Sequence, residues 1–120
     1  MMVLDRRFVN RVPLEMYLNT YVQDRPQRAV AVNLSETGLY LNTVARDPLP
    51  PLTPVGLEFT LPGVSETIWA AGEMRYDAID DYFYGNGIRF TAMASLHERM
   101  LRHYLMGARR KRLFPCLRRL

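Results

Sequence analysis

Six segments of the chain alternate apolar and polar residues with a period of two, which restricts each of them to a strand with one buried and one wet face. Leu14, Met16 and Leu18 alternate with Glu15, Tyr17 and Asn19, and Val30, Val32 and Leu34 alternate with Ala31, Asn33 and Ser35. Leu39 and Leu41 form a third set, and Val55, Leu57, Phe59 and Leu61 a fourth. Ile68, Ala70, Met74 and Tyr76 make the fifth, and Tyr82, Tyr84, Ile88 and Phe90 the last. In the second set the larger residues, Val30, Val32 and Leu34, are expected inside, which turns Asn33 and Ser35 outward.

Turn chemistry separates these segments: DRPQ at 24–27, SETG at 35–38, LPGVSE at 61–66 and DAIDD at 77–81. Connections this short imply antiparallel neighbours. The stretch DPLPPLTP at 47–54 is too rich in proline for a strand interior and reads as a longer crossing loop. After Phe90 the period changes. Ser95 and Glu98 have capping-box spacing, and Leu96, Met100, Leu101, Tyr104, Leu105 and Ala108 then recur at steps of three and four, as on one face of a helix. Gly107 is the expected stop. The fold class is therefore mainly β: a six-stranded antiparallel β-barrel with a C-terminal amphipathic α-helix.

A chain of 120 residues with 48% hydrophobic residues is enough for one core and one domain. Its formal charge of +4 is unevenly placed. Residues 109–120, RRKRLFPCLRRL, hold six basic residues and no acidic one, leaving ten basic against twelve acidic, a net −2, in residues 1–108. Such a body lacks the basic stripe of a nucleic-acid binder. No long uncharged apolar stretch suggests a membrane span. The segment MMVLDRRFVNR turns charged too early for a secretory signal, and Cys116 is the sole cysteine; both favour the cytoplasm.

Catalysis finds little support, and the expectation is a protein that is not an enzyme and needs no cofactor or metal. His97 and His103 are about 240° apart on a helix that turns roughly 100° per residue, so they do not converge on one metal. Asp80 and Asp81 sit in turn chemistry, and Cys116 has no assignable base.

Two elements carry a more specific signal. The first is the arginine cluster Arg6, Arg7 and Arg11 in DRRFVNR, and the second is NLSETG, with Asn33, Ser35 and Gly38 leading from strand into turn. Arginine forks onto phosphate and guanine edges and stacks on purines. Asn33 offers an amide, Ser35 a hydroxyl, and Gly38 room for a backbone to turn.

With Arg7 and Arg11 as an RxxxR pair followed by NLSETG as [D/N]xSxxG, the chain resembles the PilZ domain, a bacterial receptor for cyclic di-GMP. The strands AAGEMRY and GNGIRF and the closing helix follow in the family's order. The resemblance implies a PilZ-like domain over residues 1–108; residues 1–11, which no cap or apolar periodicity holds, are expected to form a mobile arginine-bearing arm, and the charge of residues 109–120 marks a basic C-terminal tail. The resemblance also implies that cyclic di-GMP is bound by Arg6, Arg7, Arg11, Asn33, Ser35 and Gly38, and that the signal passes to an unidentified downstream protein. Asn33 stands where many members carry Asp, which removes one charge-assisted contact. An arginine at the position of Arg6 is associated in the family with two stacked ligands. The alternative is a PilZ-like adaptor acting by protein contact without nucleotide, and Trp69 and Arg75 are residues that could border the site.

Overall fold

The computed structural model describes residues 11–44, 50–79 and 83–113. Six strands, β1 (Val12–Val22), β2 (Arg25–Leu34), β3 (Gly38–Val44), β4 (Pro54–Thr60), β5 (Thr67–Ile79) and β6 (Phe83–Met93), precede one helix, α1 (Ser95–Leu113). The strands close into a barrel in the order β1-β2-β3-β6-β5-β4, every neighbour antiparallel. Sequential hairpins supply four of these pairings. The β3–β6 and β1–β4 pairings are long-range and close the ring.

The first turn is tighter than its sequence suggests. Val22 pairs with Arg25, leaving Gln23 and Asp24 at φ 52° and 63°, the two left-handed residues of a hairpin turn whose twist matches the strands. Pro26 therefore lies in β2, opposite Tyr21, and the turn expected at 24–27 sits two residues earlier. Strand β5 likewise continues to Ile79, through part of the segment expected to turn.

Leu18, Leu34, Leu39, Leu57, Phe59, Ile68 and Ile88 fill the interior. Strand β2 departs from the expected phase. Its inward residues are Ala29, Ala31 and Leu34, whereas Val30 and Val32 are only half-buried. The cause is a bulge: Ala31 pairs with Leu41 but Asn33 pairs with Tyr40, so two steps on β2 match one on β3. The extra residue, Val32, reverses the alternation between Ala31 and Leu34.

Helix α1 lies across one mouth of the barrel, where β1, β3 and β5 begin and β2, β4 and β6 end. Leu101 and Leu105 are buried in the barrel core, with Met100, Tyr104 and Ala108 packed at its edge; each of the two leucines contributes about 1.5–3 kcal/mol by burial. Leu96 is exposed and does not share this face. The Glu98 amide bonds the Ala94 carbonyl at 2.9 Å, so Ala94 is the cap and Ser95 the first helical residue, one position inside the expected capping box. The helix also runs through Gly107 to Leu113. Gly107 is not in the left-handed conformation of a stop, and the basic residues 109–112 form the end of α1 rather than a separate tail. No helix among the described residues is long and apolar enough to cross a membrane.

Candidate functional site

The helix-covered mouth also holds the NLSETG turn. Asn33 lies near the end of β2 and pairs with Pro13 of β1 on one side and Tyr40 of β3 on the other. The bulge at Val32 sends Leu34 into the core and leaves Asn33 half-buried on the outer side. There its Oδ1 accepts a 2.7 Å hydrogen bond from Arg11 Nη1. Two motifs separated by 22 residues thus meet through side chains.

Arg11 is only 8% exposed, which corrects its placement in a mobile arm: the residue just before β1 is held against β2. The bond uses one acceptor site of an amide that has two, and one of five N–H donors of a guanidinium. Arg6 and Arg7 lie outside the described residues.

Ser35 is 4% exposed, and its hydroxyl is turned into the loop. The Oγ donates to the Gly38 carbonyl at 3.3 Å, accepts from the Thr37 amide at 3.2 Å and lies 3.1 Å from Thr37 Oγ1. With the Ser35 amide also bonding the Gly38 carbonyl at 2.8 Å, this is a hydroxyl-stabilised turn. Gly38 is needed for a different reason than a left-handed turn, because its φ is not positive. Added to Gly38, a Cβ would overlap the Ile88 carbonyl oxygen of β6. Its role in this structure is close approach of two backbones.

The central residue of the turn is tied to the helix. Glu36 accepts two 2.7 Å bonds from Arg109, one from each terminal nitrogen, in the parallel fork that arginine forms with carboxylates. Hydrogen bonding to Arg109 holds the Glu36 carboxyl below its ordinary 4.5, with a smaller contribution from Arg102. Sequence reasoning assigned Arg109 to a tail, and a contact spanning 73 residues has no local signal. Two hollows flank α1 here. One, about 330 Å³, runs between Glu36, Thr37, the end of β6 and Arg102; the other, about 610 Å³, lies between Val12, Pro13, Gly63, Tyr104, Ala108 and Lys111.

The remaining candidates lie elsewhere. Trp69 is 52% exposed and stacked on Tyr21 at 6.2 Å between ring centroids, on the β1–β4–β5 wall rather than beneath the helix or beside Asn33. Arg75 bonds Glu73, as does Arg89. Nδ1 of His97 accepts the Trp69 amide at 3.2 Å, a structural role. Among the described residues no group of three His, Cys, Asp or Glu gathers to hold a metal; Asp80, Asp81 and Cys116 fall outside them.

The PilZ domain family model matches residues 5–107. No curated protein sequence matches the chain. Among solved structures, the Bacillus subtilis inhibitor of motility MotI/DgrA is similar at TM-score 0.74 and 16% identity, over 87% of this chain and 49% of that one. The chain thus spans about half the length of that protein. The PilZ domain of YcgR from Escherichia coli, solved with c-di-GMP, is similar at TM-score 0.66 and 15% identity over 92% of this chain and 95% of that one. Borreliella burgdorferi PlzA in complex with c-di-GMP is similar at TM-score 0.58 and 9% identity, over 88% and 41% of the two chains.

Proposed function

The chain belongs to the PilZ domain family, and from that premise we propose that it is a bacterial cyclic di-GMP receptor whose ligand lies against Asn33 and Arg11 at the helix-covered mouth of the barrel. The observation that carries this reading is the 2.7 Å bond from Arg11 to Asn33. It joins the end of the RxxxR segment to the start of NLSETG, so the fold itself holds these two parts of the motif together. Arg6 and Arg7 complete the clamp over two phosphates and two guanines, with guanidinium forks on the phosphates or guanine edges. Asn33 supplies its amide. Ser35 and Gly38 serve the ligand by shaping the turn.

Members of this family are receptors and not enzymes, and the function proposed is signal relay without catalysis. Occupancy of the mouth is passed to a downstream protein, in a cytoplasmic setting. Isothermal calorimetry with cyclic di-GMP, GTP and cyclic AMP tests the reading. Preference for cyclic di-GMP, reduced by Arg7→Ala and by Asn33→Ala, is the expected result. Equal affinity for the three nucleotides, or no binding by folded protein, would leave the adaptor alternative.

A further inference from the structure

Arg109 was not among the residues that the sequence motifs select, yet its guanidinium is fixed 2.7 Å from both oxygens of Glu36. Glu36 directly follows Ser35 and stands three residues from Asn33, a span of at most about 10 Å of chain. The same end of α1 borders the start of β1: Ala108 and Lys111 line a hollow with Val12 and Pro13, and Pro13 is paired with Asn33. Arg11 and Arg109 thus approach one turn from two sides, one through Asn33 and the other through Glu36.

We infer that Arg109 is a further ligand-reading residue, contributed by the last third of α1, whose fork passes from the Glu36 carboxylate to a phosphate of the ligand. This rests on the cyclic di-GMP reading above. The geometry suits the exchange, because a guanidinium that grips two carboxylate oxygens in parallel grips two phosphate oxygens in the same way. The pair is partly solvated, with side chains 29% and 39% exposed. Solvent screens a pair at this depth in part, and a phosphate offers the fork the same two-oxygen geometry, so an incoming phosphate competes with Glu36 for it. Glu36 keeps the fork in place in the empty protein and is a rival to the ligand in the filled one. The exchange also alters what holds the end of the helix, which gives occupancy a route to the surface of α1.

The two partners then have opposite effects on affinity, which separates this inference from a plain structural brace. Full-length protein is titrated calorimetrically with cyclic di-GMP at low salt, alongside Arg109→Gln and Glu36→Gln. Arg109→Gln is expected to weaken binding about tenfold through loss of a charged hydrogen bond, and Glu36→Gln to tighten it about threefold to tenfold by removing the rival anion. Melting midpoints should move little in both, as for other exposed pairs. Weakening by both variants would mean that the pair only braces the turn, and unchanged affinity in both would mean that the ligand does not meet Arg109; either result overturns the inference. Wild-type protein that does not bind cyclic di-GMP would remove the parent reading, and this one with it. Binding by wild type with variants that fail these signs removes this one alone.

Discussion

Replacing Gly38 by alanine adds a single carbon to a place where β3 and β6 leave none. The new Cβ would overlap the Ile88 carbonyl oxygen and stand 3.1 Å from the Ile88 carbonyl carbon and 3.2 Å from Arg89 Cα. All three are backbone atoms in a ladder that pairs Gly38 with Arg89 and Leu39 with Ile88, so no rotamer change relieves the overlap. The strands must separate by on the order of 1 Å to restore ordinary contact distances. That stretches the 2.8 Å bond from the Phe90 amide to the Thr37 carbonyl beyond useful length. Two weakened ladder bonds at about 0.5–1.5 kcal/mol each, together with about 1–3 kcal/mol of overpacking, set against about 0.4–1 kcal/mol gained by stiffening the unfolded chain, leave a loss of about 1–5.5 kcal/mol. For a chain of this length the melting midpoint should fall by roughly 4–22 °C, measured by circular dichroism and checked by urea titration. A variant that melts within about 2 °C of wild type while losing cyclic di-GMP would refute the reasoning, since Gly38 would then serve ligand clearance and not the barrel.

Gly107→Ala should behave in the opposite sense, because beyond the adjoining residues and the helix's own backbone nothing lies within 4 Å of the new methyl and alanine favours the helix interior by about 0.8–1 kcal/mol; a lower midpoint would show that α1 needs a break there. Leu105→Ala removes a fully buried side chain from the barrel mouth and should cost about 2–5 kcal/mol in urea unfolding. Arg11→Ala should lower stability as well as affinity, because the side chain is buried and bonded to Asn33; unfolding midpoints of the free protein equal to wild type would oppose that. The Glu36 carboxyl is lowered from 4.5 in the fold, so the pair's contribution is complete above the unfolded value and is lost as pH falls through the lower folded value. The stability difference between wild type and Glu36→Gln, at most about 1 kcal/mol, should therefore disappear in acid; a difference that grew as pH fell would contradict the sign.

All six strands were legible because each buries one face, and the helix because its period changes after Phe90. What alternation leaves open is its phase. Val30 and Val32 are larger than Ala29 and Ala31 and read as the inner set, but the bulge at Val32 decides otherwise, and an irregularity of one residue leaves no mark in hydropathy. The turn at Gln23 and Asp24 was missed because neither residue is glycine or asparagine, the usual sign of left-handed φ. Gly107 misled in the other direction: a glycine stops a helix when its backbone turns left-handed, and here leucines before it and Arg109 after it are held in place. The family resemblance assigned Arg11 and Asn33 to one ligand but not to each other, and the bond between them joins residues 22 apart with no local signal. The tie between Glu36 and Arg109 depends on α1 crossing the mouth, which only tertiary structure specifies.

The β1–β4 pairing has a consequence for how a downstream protein could read this molecule. A sheet that ends on an open strand offers its row of amides and carbonyls to any extended peptide, and many signalling modules recruit partners by adding such a strand. Here the ring closes on itself, so each of the six strands already has a neighbour on both sides. Strand addition is therefore not the natural mode of contact, and the barrel is also guarded against edge-to-edge self-association. Recognition falls to side chains on the outer wall, such as the stacked Trp69 and Tyr21, and to the turns and helix at the mouth. A partner for this protein is best sought among surfaces that grip side chains, not among peptides that extend a sheet.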